Sequence, residues 1–448
     1  MLTRLLLLFC LLLSSAACKK SDAPVAPAPT APQAVQEQRP EPALPLAAPP
    51  FLTQPIPTTV IEATNEALPI WRSYAINRPA LIIVANTPAM LPAPAELHTE
   101  IARLLKNADD HELIGRSSLN NPDPLLLPVM SLNVALDAGW FSQVLWIFPT
   151  KQLPEQLELT TFQKQLIEAQ IATPEEAASF TLNKGSFAGI VRGLPFTAAP
   201  AEALPPLEES ALLHIDVDYF KPLYSGEIKT PLYPLMIGLL DKIKVQNWKI
   251  AAASVALSNQ PFDGLPLQTR FLGKDLAAVL KNPQMFQKAF PRQWERRGNA
   301  LYLENFMQRE EIHKIYREME QEDPADSDVK FGLYNISRQL NQPDKALVYL
   351  KAAVQLDPVY AQEYLALSQL AMEKKLPGKA VEMLKLARSA QPGNPFFLTL
   401  LAQTLFNTGH QEEAKTLQQE LAALHWSKIY YPEQAEAQEA FARLLEGQ

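Results

Sequence analysis

Three proline-containing pairs, Asp323-Pro324, Asp357-Pro358 and Gln391-Pro392, fall 34 residues apart in the last third of this 448-residue chain. A fixed period of this length means that one small helical unit is copied, and that each copy buries its apolar face against the next. Ala346, Ala380 and Ala414 keep the same spacing, as do Ala353 with Ala387 and Leu333 with Leu367 and Leu401. Alanine at that period is a packing requirement, because a bulky side chain where two helices cross would push them apart. The leucines supply a buried stripe, and the prolines stop the second helix of each unit. An all-α region is therefore predicted over 292–426. A last amphipathic helix within 427–448 would place Ala435, Phe441, Leu444 and Leu445 against the stack and hide its end.

Residues 361–392, with Tyr364, Leu367, Ala380, Ala387 and Pro392 all in phase, resemble a tetratricopeptide repeat. Residues 294–324 resemble a degenerate first copy, with Ile312 in place of the first alanine. The resemblance implies a superhelix of paired helices that binds other proteins or peptides. Its concave face would be lined by Phe331, Asn335, Leu365, Gln369, Thr399, Gln403 and Phe406. That face is amide-rich and apolar, and it lacks the repeated basic residues that clamp a C-terminal carboxylate. Phe331 and Phe406 read equally well as core.

Residues 1–17 begin with one basic residue, Arg4, continue through the apolar run 5–13 and end in Ser14-Ser15-Ala16-Ala17 before Cys18. This is the pattern of a secretory signal, and its apolar run is too short to span a bilayer. Ser15-Ala16-Ala17-Cys18 resembles a bacterial lipobox, which implies lipidation of Cys18, palmitate included. Lys19 and Lys20 stand where aspartate would retain such a lipoprotein in the inner membrane, so the implied address is the periplasmic face of the outer membrane. Cys10 leaves with the signal, and the mature chain then has one cysteine and no disulfide. Residues 18–57 are rich in alanine and proline and read as an extended linker.

Between 58 and 291, apolar runs alternate with amphipathic stretches. Strands are predicted over 80–85, 143–148, 189–196, 211–219 and 250–257, and helices over 95–106, 124–138, 157–170, 232–245 and 273–280. A run such as Ala80-Leu81-Ile82-Ile83-Val84-Ala85 is apolar at every position, as a strand covered on both faces must be. The predicted fold class is a three-layer α/β domain with a mainly parallel sheet, followed by the all-α repeat superhelix.

One strand end carries candidate chemistry: Leu213-His214-Ile215-Asp216-Val217-Asp218-Tyr219-Phe220. Alternation with period two would put His214, Asp216 and Asp218 on one face. Two carboxylates at the end of a buried strand need a metal, an arginine, backbone N–H donors or a shared proton. Capping the following helix, or pairing with Arg192 or Lys221, would serve as well as a metal. Oxygen-rich pairs suit Mn²⁺, Mg²⁺ or Ca²⁺.

The phrase at 214–220 is similar to the strand-terminal Asp-x-Asp of the arginase–deacetylase superfamily, which implies a doubly wound α/β fold and a two-metal hydrolytic site. The superfamily's second ligand cluster would fall on Asn86-Thr87-Pro88-Ala89-Met90, where no residue is a metal ligand of that kind. The resemblance therefore implies a degenerate member. Asp123, Asp137 or Asp263 would have to bring further ligands from distant loops.

Other signatures are missing. His111-Glu112 is followed by Gly115 where a zinc-protease helix needs a second histidine, and the six histidines do not cluster. No phosphate-binding glycine loop and no nucleophile elbow is present. A net charge of −8 argues against a nucleic-acid surface. Two functions remain. One is a membrane-tethered scaffold that recruits a protein or peptide through its repeats, with no catalytic residue and no cofactor. The other is a metal-dependent C–N hydrolase with Asp216, Asp218 and His214 as ligands of Mn²⁺ or another divalent ion.

Overall fold

The computed structural model describes residues 48–224, 231–257, 267–287 and 290–446. The signal, Cys18 and most of the alanine/proline-rich stretch lie outside the described residues, as does Asp263. The described residues belong to one compact unit.

Its first part is built on eight strands: β1 (Thr58–Ile61), β2 (Ala80–Val84), β3 (Val144–Ile147), β4 (Thr181–Asn183), β5 (Ser186–Val191), β6 (Leu194–Ala199), β7 (Ala211–Asp216) and β8 (Ile250–Ala256). Their order in the sheet is β1-β8-β7-β2-β3-β6-β5-β4. The pairings from β1 through β6 are parallel, and β6-β5 and β5-β4 are antiparallel.

Every residue of β2 is buried, as its continuous apolar run requires. Leu81 and Ile83 point into one core with helices α1 (Leu68–Tyr74), α2 (His98–Asn107), α3 (Asp110–Ser117), α4 (Ser131–Asp137), α5 (Leu159–Glu168) and α6 (Pro174–Ala178). Ala80, Ile82 and Val84 point into the other. That second core is shared with α7 (Lys221–Tyr224), α8 (Leu232–Val245) and α9 (Phe271–Lys281), and the short α10 (Gln284–Gln287) follows. Helices thus flank both faces of the sheet.

Three expectations are corrected by this packing. Phe51, Leu52 and Ile56 are buried in the second core, and the backbone N–H groups of Phe51 and Ile56 bond to the carbonyls of Trp248 and Leu280 at 2.7 and 2.9 Å. Residues 48–57 therefore belong to the folded body and not to a linker: three large apolar side chains gain more from burial than an extended tether would. The strand predicted over 189–196 is a hairpin. Arg192 and Gly193 both have positive φ, which matches the strong twist of a two-residue turn. The strand predicted over 211–219 ends at Asp216, and a 3₁₀ turn, Val217–Phe220, replaces its last residues.

The second part consists of helices α11 (Arg292–Leu303), α12 (Arg309–Glu322), α13 (Ser327–Gln339), α14 (Pro343–Leu356), α15 (Gln362–Glu373), α16 (Pro377–Ala390), α17 (Pro395–Asn407), α18 (Gln411–Ala422) and α19 (Pro432–Glu446). Consecutive helices pack in pairs, α11 with α12, α13 with α14, α15 with α16, and α17 with α18. Helices α12, α14 and α16 stop at Glu322, Leu356 and Ala390, two residues before each proline of the period. Ala346, Ala353, Ala380, Ala387 and Ala414 are all buried, and Ala353, Ala380, Ala387 and Ala414 completely so.

Gly332 lets α12 and α13 close up. A Cβ there would stand 2.4 Å from the Tyr316 ring. In α19, Phe441 packs into the last core beside Phe406, but Leu444 is exposed, so the closing contact rests on fewer residues than its apolar side promised.

Candidate functional site

The strand end of β7 comes first. Asp216 Oδ1 accepts the backbone N–H of Asp218 at 3.0 Å and so caps the 3₁₀ turn, while its Oδ2 accepts from Thr64 Oγ1 at 3.4 Å. Asp218 Oδ1 accepts the backbone N–H of Asn86, just past β2, at 3.0 Å. Backbone N–H donors thus serve both the buried carboxylate of Asp216 and the partly buried one of Asp218. The shared face expected for His214, Asp216 and Asp218 breaks down at Asp216, because alternation with period two stops where the strand stops.

His214 is buried in the sheet, with Nδ1 at 2.9 Å from Ser254 Oγ and its ring edge-on to Trp71. Burial drives its pKa down to about 3, so the imidazole is neutral; among the described residues Nε2 has no hydrogen-bond partner. Among the described residues no group of three or more His, Cys, Asp and Glu is placed to hold a metal ion. Arg192 pairs with Asp137 at 3.2 Å, and Asp123 lies 3.6 Å from Arg116, so Asp123 and Asp137 each face an arginine.

The charged machinery of the molecule lies instead where the sheet half meets the helices. Arg270, at the start of α9, is only 3% exposed and puts its two terminal nitrogens 2.8 Å from the two oxygens of Glu62. Nη2 also lies 3.4 Å from Asp357, the aspartate of the second Asp-Pro pair. One turn along α9, Lys274 reaches Asp328 at 2.9 Å and Asp357 at 3.6 Å.

Next to it, Asp275 accepts from Tyr233 Oη at 2.6 Å and from Arg297 Nη1 at 3.3 Å. Arg297 reaches on to Asp326 at 2.6 Å. Tyr360 Oη donates to Asp328 at 2.6 Å. Burial works against the charge on Asp328, but Lys274 and the Tyr360 hydroxyl outweigh it and hold this carboxyl below its ordinary value. Burial likewise opposes the charge on Arg270 and Arg297, and their carboxylate partners keep both firmly protonated.

These contacts fall on the turns between helix pairs. Asp326 caps α13 by accepting from the N–H groups of Asp328 and Val329, and Asn394 caps α17 in the same way two periods later. Asn394 Nδ2 also lies 3.3 Å from Asn120 Oδ1 in the sheet half. Farther on, the N–H of Ser427 bonds to the Pro122 carbonyl at 2.8 Å, and Tyr430 Oη donates to the Leu125 carbonyl at 2.9 Å. Trp294 of α11 stacks on Tyr233 at 5.2 Å and belongs to the second core of the sheet half, so the first helix pair is built into it. The boundary expected at 291 is crossed by both packing and charge.

A cleft of ≈ 460 Å³ opens between the loop after β1 and the turns that carry Asp357 and Asn394. Glu62, Asn65, Glu66 and Asn120 form one wall, and Gln362 and Asn394 stand on the other. It begins at the carboxyl end of a parallel strand, where such sheets place their ligands. Burial, with Glu62 adding to it, raises the pKa of Glu66 against the bond its carboxylate takes from the Glu62 N–H.

The residues expected to line the concave face divide into two groups. Phe331 is buried and stacked on Tyr360 at 4.4 Å, so it is core, whereas Phe406 is half-buried and packs edge-on to Phe441 against the last core. Asn335 Nδ2 donates to Gln268 Oε1 of the sheet half at 3.2 Å, and Leu267 packs on the same helical core. Leu365, Thr399 and Gln403 are partly exposed, and Gln369 is exposed.

Sequence reasoning assigned no role at this junction to Arg270, Asp275, Glu62 or Arg297. The available signal was the recurrence of Asp or Asn at the helix starts, which demands donors opposite. No protein-family model and no curated protein matches this chain.

Proposed function

We propose that this protein is a polypeptide-binding scaffold whose helix pairs present a recruiting surface and whose sheet half is the base that holds them in place. The observation that carries the reading is the set of helix pairs repeating every 34 residues around fully buried alanines. An array of this kind buries its core between copies and leaves a broad outer surface free for contact. The pairs resemble tetratricopeptide repeats, and the recruiting surface is assigned to the later copies, at Leu365, Gln369, Thr399 and Gln403. The second copy spends Asn335 on Gln268 and Phe331 on its own core.

The lipobox-like 15–18 makes the scaffold a lipoprotein, acylated at Cys18 and facing the periplasm from the outer membrane. The competing reading, a metal-dependent C–N hydrolase, asks Asp216 and Asp218 to serve a metal while they already hold backbone N–H groups.

The test is photo-crosslinking in intact cells of a Gram-negative host, with the crosslinker at Gln369 or Gln403 and, as a control, at Ile76, an exposed residue of the sheet half. A discrete adduct from the two repeat positions and none from Ile76 supports the reading. Adducts that are the same from all three positions sink it. Labelled palmitate incorporated by the wild type but not by Cys18→Ala tests the anchor, and elemental analysis of the purified protein tests the hydrolase.

A further inference from the structure

Among the described residues, five carboxylates (Glu62, Asp275, Asp326, Asp328 and Asp357) face three cations (Arg270, Lys274 and Arg297) along the junction. The excess of negative charge sits in a partly desolvated seam, where like charges repel more strongly than in water. One carboxylate stands apart in geometry. Both donors to Asp275, Tyr233 Oη and Arg297 Nη1, arrive on Oδ2, and Oδ1 has no partner among the described residues. A proton placed on Oδ1 would break no hydrogen bond, and Arg297 would keep Asp326 at 2.6 Å.

We propose that the junction is a proton-linked clamp: Asp275 takes up a proton on Oδ1, and the helical half is then held more tightly to the sheet half. The groups that face Asp275 are Tyr233 from α8, Arg297 from α11, and Asp326 and Asp328 from the start of α13. Lys274, its neighbour on α9, is turned to Asp328 and Asp357. Strands β1 and β8 and helix α10, which also pack on α9, contain no charged residue.

Burial is the largest influence on this carboxyl and raises it. Arg297 and Tyr233 pull it back, Asp328 and Asp326 add to the rise, and it settles at about 6 against an ordinary value of 3.8. A raised folded-state value means that the contribution is complete below the unfolded value and is lost as the pH rises through about 6. Acidification from neutrality toward pH 5 therefore tightens the seam.

The test uses the intact protein and reads hydrogen exchange of α13 amides, corrected for intrinsic rates, between pH 5 and 8. Wild type is compared with Asp275→Asn, which copies the protonated carboxyl without its charge. Other titrating groups, His214 among them, cancel in the ratio of the two. The opening constant of α13 in the wild type should grow about tenfold from pH 5 to pH 7 relative to the variant. An unchanged ratio across that range overturns the proposal.

Tyr233→Phe removes one donor to the carboxylate and should move the wild-type midpoint upward in pH. A loss of equal factor at every pH would mean that the tyrosine only packs and that the clamp does not exist. If Asp275→Asn does not fold, this second variant decides alone.

Discussion

Arg270 and Asp357 are 87 residues apart in the chain, yet the guanidinium of one lies 3.4 Å from the carboxylate of the other. Asp357 also caps the turn it opens, by accepting from the N–H of Val359. The same aspartate therefore ends one helix pair, starts the next and ties both to the sheet half.

Arg270→Ala should destabilise the protein by about 2–4 kcal/mol, because it leaves Glu62 and Asp357 without their buried partner. Arg270→Lys should recover only part of this, since an ammonium cannot span both oxygens of Glu62. Urea unfolding of the two variants, followed by circular dichroism, gives the values. A loss below about 0.5 kcal/mol for the alanine variant would show that the pair is worth no more than an exposed one.

Gly332→Ala should cost about 1–3 kcal/mol, because its Cβ would meet the Tyr316 ring at 2.4 Å and force α12 away from α13. Gly238→Ala, inside α8 with open space around it, should instead stabilise by about 0.5–1 kcal/mol through helix propensity. Thermal melts of the pair check the opposite signs.

Ala380→Leu places three extra carbons where α16 leaves no exposed surface, and it should loosen the helical half while the sheet half persists. Limited proteolysis is the direct measurement. Early cleavage within 362–422, with the sheet half intact, is the expected pattern, and cleavage no faster than in the wild type would contradict it.

His214 should make the protein acid-sensitive. Its folded-state pKa of about 3 lies below the ordinary 6.5, so the unfolded chain takes up the proton that the fold refuses. Stability then falls by about 1.4 kcal/mol for each pH unit between 6.5 and the folded value, against the trend set by Asp275. In His214→Gln this slope should vanish, which a series of urea midpoints from pH 7 to pH 4 would reveal.

Asp216→Ala should cost about 1–2 kcal/mol, the value of a lost cap, because the Asp218 N–H loses its acceptor. Asp216→Asn should keep most of it. If the asparagine variant proved as damaging as alanine, the charge itself would be needed at the strand end, and a bound cation would return as the explanation.

The pattern of elements was legible wherever a local rule governs the chain. The helix Leu232–Val245 matches the predicted span, and β2 and β8 lie within a residue of theirs. Their periodicity or continuous apolar character follows from burial on one face or two. What failed was local geometry hidden inside apolar runs. The turn at Arg192-Gly193 divides one predicted strand, and the carboxylate of Asp216 ends another early by capping.

The sequence by itself determined that a mostly parallel sheet precedes an all-helical array with a 34-residue beat, because period and hydrophobicity are properties of neighbouring residues. Only the tertiary structure decided that the two are joined through Arg270, Asp275 and Arg297, and that Asn335 is engaged by Gln268 at this junction. Contacts between residues as far apart as Glu62, Arg270 and Asp357 leave no periodic trace, and whether a charge is exposed or buried depends on what the rest of the chain brings beside it.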